Sequence, residues 1–277
     1  MKQRLANLTN LQQRVIAAVV GVPFIIFLIW YADWTFALLF CVISALTQRE
    51  FYRLLGLDGF EPLTAYGTVV GVMICVLAYF IETDQISMGH YFLICPASSM
   101  IFLIKLYKKR DMKPFTNIGF TFLGIIYVAM PFALLIILAL RGGTFHPMLI
   151  TGCLLLLWAS DIGAYFAGTK FGRRKLFERV SPKKSWEGAL GGAAAAGLVA
   201  LGLAFWAPEL KPWQWYCVGG IIVVTGTYGD LVESLFKRSI AIKDSGSSIP
   251  GHGGFLDRFD GLLLAAPFII TFLKLFT

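Results

Sequence analysis

Charge is scarce in this sequence. Only 14% of its 277 residues are Lys, Arg, Asp or Glu, while 57% are hydrophobic; soluble chains carry about 25% charged residues. A soluble domain of this length cannot hide so much apolar surface, so lipid is the solvent for most of the chain. Histidine is scarcer still, with three residues, of which only His252 lies in a polar stretch. No HExxH pair and no Ser-His-Asp arrangement is evident. The five cysteines (Cys41, Cys75, Cys95, Cys153, Cys217) lie in or beside apolar runs, without CxxC or zinc spacing. They read as small apolar fillers, and no disulfide framework is expected. There is no GxxxxGK[ST] loop, no GxGxxG, no internal repeat and no low-complexity tract.

What is present is a series of apolar segments. Nine can be drawn: 15–31, 34–47, 66–81, 91–107, 115–140, 148–166, 188–206, 213–236 and 262–276. Several approach the ~20 residues that a spanning helix needs; the second and last are short. The fifth is long and holds Pro131, which predicts one kinked helix or two short pieces. The first run shows no small-residue cleavage site and reads as an uncleaved helix. Trp30, Trp34, Trp206 and Trp213 sit near segment ends, as interfacial anchors do. The expected fold class is an all-α polytopic membrane protein of about nine transmembrane helices. Residues 1–140 form an N-terminal helical region. Residues 141–277 form a C-terminal transmembrane region, the one expected to carry any chemistry because its cytoplasmic loops at 167–187 and 237–261 are the two large polar gaps.

The net charge is +8, from 24 basic and 16 acidic side chains. The cations cluster in the polar gaps, which favours a membrane surface and an anionic substrate, with no nucleic acid. Of the 24 Lys and Arg, all but Arg141, Lys211 and Lys274 fall in alternate gaps. That bias puts the N-terminus in the cytoplasm and the C-terminus outside, as an odd number of spans requires. A bacterial origin being assumed, the expected location is the inner (cell) membrane, with the polar cavity open to the cytoplasm.

Ionisable groups at membrane depth stand out. Asp161, in LLLLWASDIGAYFAG, costs about 2.5–3.5 kcal/mol on insertion scales. Either it snorkels to water or it serves a ligand or proton site, with Tyr165 on the same helix face. In TYGDLVESLFKR, Asp230, Glu233 and Lys237 form one stripe. A Glu233–Lys237 ion pair is one reading; a polar cavity reaching into the membrane is the favoured one. In KDSGSSIPGHGGFLDRFDG, Asp257 and Asp260 stand three apart before the last apolar run. As a first helical turn they would face one way, with Arg258 pointing elsewhere; the helix dipole alone would favour them there. The glycines upstream could let a phosphate approach the backbone, or make a re-entrant turn. Gly188 and Gly192 suit close helix packing. Together, Asp161, Asp230, Asp257 and Asp260 could hold a hard cation such as Mg²⁺. Lys183, Lys184, Lys237, Arg238 and Lys243 could hold phosphates. That kit suits phosphoryl or nucleotidyl transfer.

SLFKRSIAIKDSGSSIPGHGGFLDRFD, Ser234 to Asp260, resembles the signature of the phosphatidate cytidylyltransferases, or CDP-diacylglycerol synthases. Ser234, Lys237–Arg238, Lys243–Asp244, Ser245, Pro250, His252–Gly253–Gly254, Asp257–Arg258 and Asp260 fill its elements. WASDIGAYFAG, SPKKSWEG and Gly229–Asp230 are also similar to the family, so the resemblance covers the chain from Trp158 onward. It implies transfer of CMP from CTP to phosphatidate, with Mg²⁺ and room for a second, monovalent or divalent, cation. By the same resemblance, Asp230 and Asp257 are the first metal ligands, with Asp161 and Asp260 supporting. Lys183, Lys184 and Lys243 would hold CTP. Asp244, His252, Gly253, Gly254 and Arg258 would shape or contact the nucleotide. Lys237 and Arg238 would meet phosphatidate or pyrophosphate. The partners implied are CTP and the membrane lipid; a homodimer stays open. Two alternatives remain: a CTP-dependent lipid kinase, and a transporter with Asp161 and Asp230 as ion-coupling groups. TQREFYRLL, after the second apolar run, has no assigned role.

Overall fold

A computed structural model describes residues 10–242 and 253–276. In lipid each backbone N–H and C=O must be satisfied within the protein, and a helix does this alone. Helices accordingly account for nearly all of the architecture. They are α1 (Asn10–Tyr31), α2 (Asp33–Leu57), α3 (Thr64–Glu82), α4 (Ile94–Leu106, after a 3₁₀ turn at Met88–Leu93), α5 (Pro114–Gly124) and α6 (Met130–Ala139). The second half has α7 (Pro147–Phe171), α8 (Trp186–Trp206), α9 (Pro212–Ser239) and α10 (Leu256–Phe276). Every apolar segment falls on a helix. Among the described residues, seven helical stretches are long and apolar enough to cross a bilayer: 64–82, 88–106, 114–143, 147–171, 186–206, 212–239 and 256–276. The α2 helix is not one of them, since Asp33, Arg49, Glu50 and Arg53 interrupt it.

The long segment with Pro131 is one helical run, not two pieces. A π turn at Ile125–Ala129 joins α5 to α6. Proline at 131 has no N–H for the Tyr127 carbonyl and would crowd it, so the wider turn absorbs the misfit. Between α7 and α8 the chain makes a feature the sequence did not announce, a two-stranded antiparallel hairpin. Its strands are β1 (Lys175–Phe177) and β2 (Ser181–Ser185), with Lys175 opposite Ser185 and Phe177 opposite Ser181. The Glu187 carboxylate closes its base, accepting from the Arg173 and Arg174 N–H groups at 3.0 and 3.2 Å.

One apolar core joins the two halves of the chain. Phe36, Phe40 and Phe51 of α2 and Phe132 of α6 share it with Leu149 of α7, Trp215 of α9 and Leu262 of α10. Phe51 stacks on Phe236 at 4.9 Å between ring centres, and Phe132 meets Phe259 edge-on at 5.6 Å.

The α7–α8 contact is made by backbone. A methyl group on Gly192 would lie 2.8 Å from the Ser160 carbonyl oxygen, and one on Gly188 would lie 3.0 Å from that of Ala164. Both glycines therefore do what their spacing suggested. On Gly163 a methyl would sit 2.6 Å from the Gly191 carbonyl oxygen. Ala in place of a helical Gly normally gains about 1 kcal/mol; overpacking costs about 1–3 kcal/mol. Gly163→Ala should therefore lower the apparent melting temperature in micelles. Gly197→Ala, with nothing within 4 Å of the added carbon, should raise it slightly. The same sign for both would refute the tight seam.

Candidate active site

The second half of the chain encloses a cavity of about 590 Å³. Asp161 and Tyr165 reach it from α7, Lys183 and Lys184 from β2, Thr227 and Asp230 from α9, and Asp257, Arg258 and Asp260 from α10. The geometry follows from local rules. The Ser185 hydroxyl caps α8 by accepting from the Gly188 N–H at 3.1 Å, which fixes where β2 ends and so where Lys184 points. Gly229 lets α9 and α10 touch: a side-chain carbon there would lie 2.5 Å from the Asp260 carbonyl oxygen. That close approach brings Asp230 and Asp260 to one place.

Lys184 Nζ lies 2.8 Å from Asp230 and donates to the Thr227 carbonyl at 3.0 Å. The Ser234 hydroxyl donates to the other Asp230 oxygen at 3.3 Å. Two helical turns further along α9, toward its C-terminal end, Lys237 Nζ sits between Glu233 at 2.7 Å and Asp257 at 3.2 Å. Asp230, Glu233 and Asp260 each offer an oxygen within 4.8 Å of the others. Glu233 is 2% exposed, and its Oε1 has no hydrogen-bond donor among the described residues. A buried carboxylate oxygen without a donor, facing two more carboxylates, fits an oxygen-seeking cation such as Mg²⁺.

The first turn of α10 is built as its sequence suggests. Asp257 stands in that turn, and its Oδ2 accepts from the Gly254 N–H at 3.4 Å. Gly253 has φ +86°, and an added side-chain carbon would lie 2.9 Å from Asp257. Glycine is the residue that takes this turn without strain. Arg258, expected to point elsewhere, lines the cavity with Asp257 and Asp260; its long side chain covers the 100° step between them. Arg238 is turned aside and donates to the Ile242 carbonyl at 3.3 Å. Lys243, Asp244 and His252 lie outside the described residues.

Two acids gain a role that the sequence did not give them. Glu233, read as an ion-pair partner or part of a polar stripe, also joins the carboxylate cluster. Glu50 of α2 reaches α10 from 205 positions away in sequence. Its two oxygens accept from the Phe255 and Leu256 N–H groups at 3.1 and 3.3 Å.

Fold and cavity together define an integral membrane protein with an acid-lined, lysine-flanked site among its helices. The chain belongs to the cytidylyltransferase family, whose sequence pattern it matches over residues 12–276. It is similar to the phosphatidate cytidylyltransferase of Bacillus subtilis, with 29% identity over 98% of this chain and 100% of that protein. The enzyme of that name from Synechocystis sp. is 29% identical over 95% of this chain and 96% of its own length. The Brucella suis enzyme is 33% identical over 97% and 95%.

Proposed function

We propose that this chain transfers the CMP unit of CTP to phosphatidate, giving CDP-diacylglycerol and pyrophosphate. The observation that carries the reading is the Asp230–Glu233–Asp260 cluster beside Lys184, with Asp230 and Asp260 lining a cavity among apolar helices, in a chain that matches its family nearly end to end. A phosphate oxygen of phosphatidate attacks the α-phosphorus of CTP. The new P–O bond forms as the bond to the β-phosphate oxygen breaks, and pyrophosphate leaves. A phosphomonoester is already anionic near neutral pH, with a second pKa of about 6, so no strong general base is needed. This suits a site short of histidine.

The barrier is repulsion between anions, and the chain's own groups address it. Lys183, Lys184 and Arg258 draw the phosphates into the cavity. Lys184 exchanges part of its contact with Asp230 for phosphate oxygens while Thr227 keeps it in place. Lys237 holds Glu233 and Asp257 close without net repulsion. Asp230, Glu233 and Asp260 would hold Mg²⁺, with Asp161 and Asp257 lining the same cavity; the ion would supply charge neutralisation to the phosphates. In this proposal α1 and α2 cross the membrane together with the seven long apolar stretches, giving nine spans; the N-terminus and the cavity face the cytoplasm, and the membrane is a bacterial inner one. The bias of Lys and Arg between alternate gaps supports that orientation.

The test uses purified protein in micelles with Mg²⁺, CTP labelled with ³²P at the α-phosphate, and either phosphatidate or a polyprenol as the lipid. Label in the lipid fraction is the expected result. Label released as CDP would favour the lipid-kinase reading. No CTP consumption by folded protein would overturn both.

A further inference from the structure

Glu50 lies on α2, outside the acid-lined cavity, yet it is 4% exposed and bonded to the segment that carries two of the cavity's carboxylates. Its partners, the Phe255 and Leu256 N–H groups, begin α10, where a helix has no internal acceptor for its first donors. Asp257 and Asp260 are two and five residues beyond Phe255. A carboxylate at this end is also favoured by the helix dipole. Around the contact, Leu256 is fully buried and the neighbouring Phe51 stacks on Phe236, one position before Lys237. The bidentate bond therefore fixes both the height and the rotation of the first turn of α10 against α2.

We propose that Glu50 is a positioning residue for the transfer reaction: by holding the Phe255 and Leu256 N–H groups, it sets Asp257 and Asp260 opposite Asp230. The proposal rests on the transfer reading given above. It assigns the N-terminal half of the chain a direct part in shaping the site. Without the bond the turn keeps its apolar packing but loses its rotational stop, and the carboxylates of α10 drift relative to α9.

The test compares full-length wild type with Glu50→Gln and Glu50→Ala, in micelles, by two readouts. The first is steady-state kinetics. A misplacement of about 1 Å can cost about 100-fold in rate, so kcat should fall by about 10- to 100-fold in both variants, while KM for CTP moves by less than about threefold. Glu50→Gln, which keeps one acceptor oxygen, should be the milder. The second is amide hydrogen exchange, which needs no activity. Exchange at residues 255–256 should rise about tenfold on loss of one hydrogen bond, with exchange across α8 unchanged. Wild-type kinetics with wild-type exchange in both variants would overturn the proposal. So would a uniform rise in exchange over α8 and α10, because Glu50 would then be a strut of the whole fold. Should Glu50→Ala fail to fold, Glu50→Gln decides alone. Wild-type protein that moves no label into lipid would overturn the transfer reading; the exchange comparison would then decide whether Glu50 holds the turn.

Discussion

Asp230→Asn is expected to lower kcat/KM for CMP transfer by about 1,000-fold, equivalent to ~4 kcal/mol of transition-state stabilisation. The substitution keeps shape and changes charge. Asn can still accept from the Ser234 hydroxyl, so the helix should not shift. What disappears is the negative oxygen that lies 2.8 Å from Lys184 and belongs to the cluster with Glu233 and Asp260. Among the described residues, Lys184 then keeps its hydrogen bond to the Thr227 carbonyl but loses its ion-pair partner. The carboxylate set loses one member of three, and Mg²⁺ affinity should fall with it. The measurement is transfer of α-phosphate label into lipid, with expression and melting temperature as controls. Asp257→Asn should be equally inactive while still inserting normally. It should also melt lower, because Asp257 holds Lys237 and accepts from the Gly254 N–H as well. Turnover within a few-fold of wild type for Asp230→Asn, at ordinary Mg²⁺ concentration, would remove Asp230 from the site.

The second large effect is on stability and lies far from the cavity. The ammonium of Lys105, at the end of α4, is paired with Asp111 and donates to the Glu61 carbonyl; both charged side chains are almost fully buried, at 0% and 1% exposed. Asp111 also accepts from the Lys113 N–H at 3.0 Å and from the Asn117 amide at 2.7 Å. Asp111→Ala leaves a buried cation without its counter-charge, which costs about 3–5 kcal/mol. The Lys105→Met, Asp111→Leu double variant should recover part of that, because it removes the unpaired charge but leaves the Glu61 carbonyl, the Lys113 N–H and the Asn117 amide without these partners.

Acidity offers an independent check. Burial alone would raise the Asp111 carboxyl, but the bonds from Lys105, Lys113 and Asn117 outweigh it and hold its pKa below the ordinary value. A lowered folded pKa means stability that is present above the unfolded value of about 3.9 and lost as pH falls through the folded one. The gap in melting temperature between wild type and Asp111→Ala should therefore be widest near neutrality and narrow below about pH 4. A gap that is constant with pH would show that the carboxylate's charge contributes nothing.

Local patterns in the sequence carry through to the structure; long-range pairings do not. Asp257 and Asp260 are legible as a first helical turn because they stand three apart before an apolar run. The 230–233–237 stripe is legible for the same reason, and Lys237 does meet Glu233. Lys105 is different: counted only as one of the cations of a polar gap, it is buried, because Asp111 and Glu61 come back over it from either side in sequence. Glu50 lies between Arg49 and Phe51, near Arg53, where an acid looks like ordinary helix-end charge. Its partners are backbone groups some 200 positions away, and a backbone N–H leaves no mark in a sequence. A burial signal did exist, since Glu50 is followed by two aromatic residues, but it does not name what Glu50 touches. The β1–β2 hairpin is illegible because its strands are short and charged, without apolar alternation. Arg258 was misread because direction was inferred from helical angle alone, without the reach of the side chain.

The backbone contact between α7 and α8 also limits how a chain of this kind can change over generations. Where helices meet through side chains, a larger residue on one can be offset by a smaller one on the other. At Gly163, Gly188 and Gly192 nothing remains to make smaller, so no compensating exchange exists. Variation is left to the outer faces, where Leu190 and Leu198 stand 70% and 71% exposed. The two helices are inherited as a fixed pair, and the spacing between Asp161 and the Ser185 cap is inherited with them.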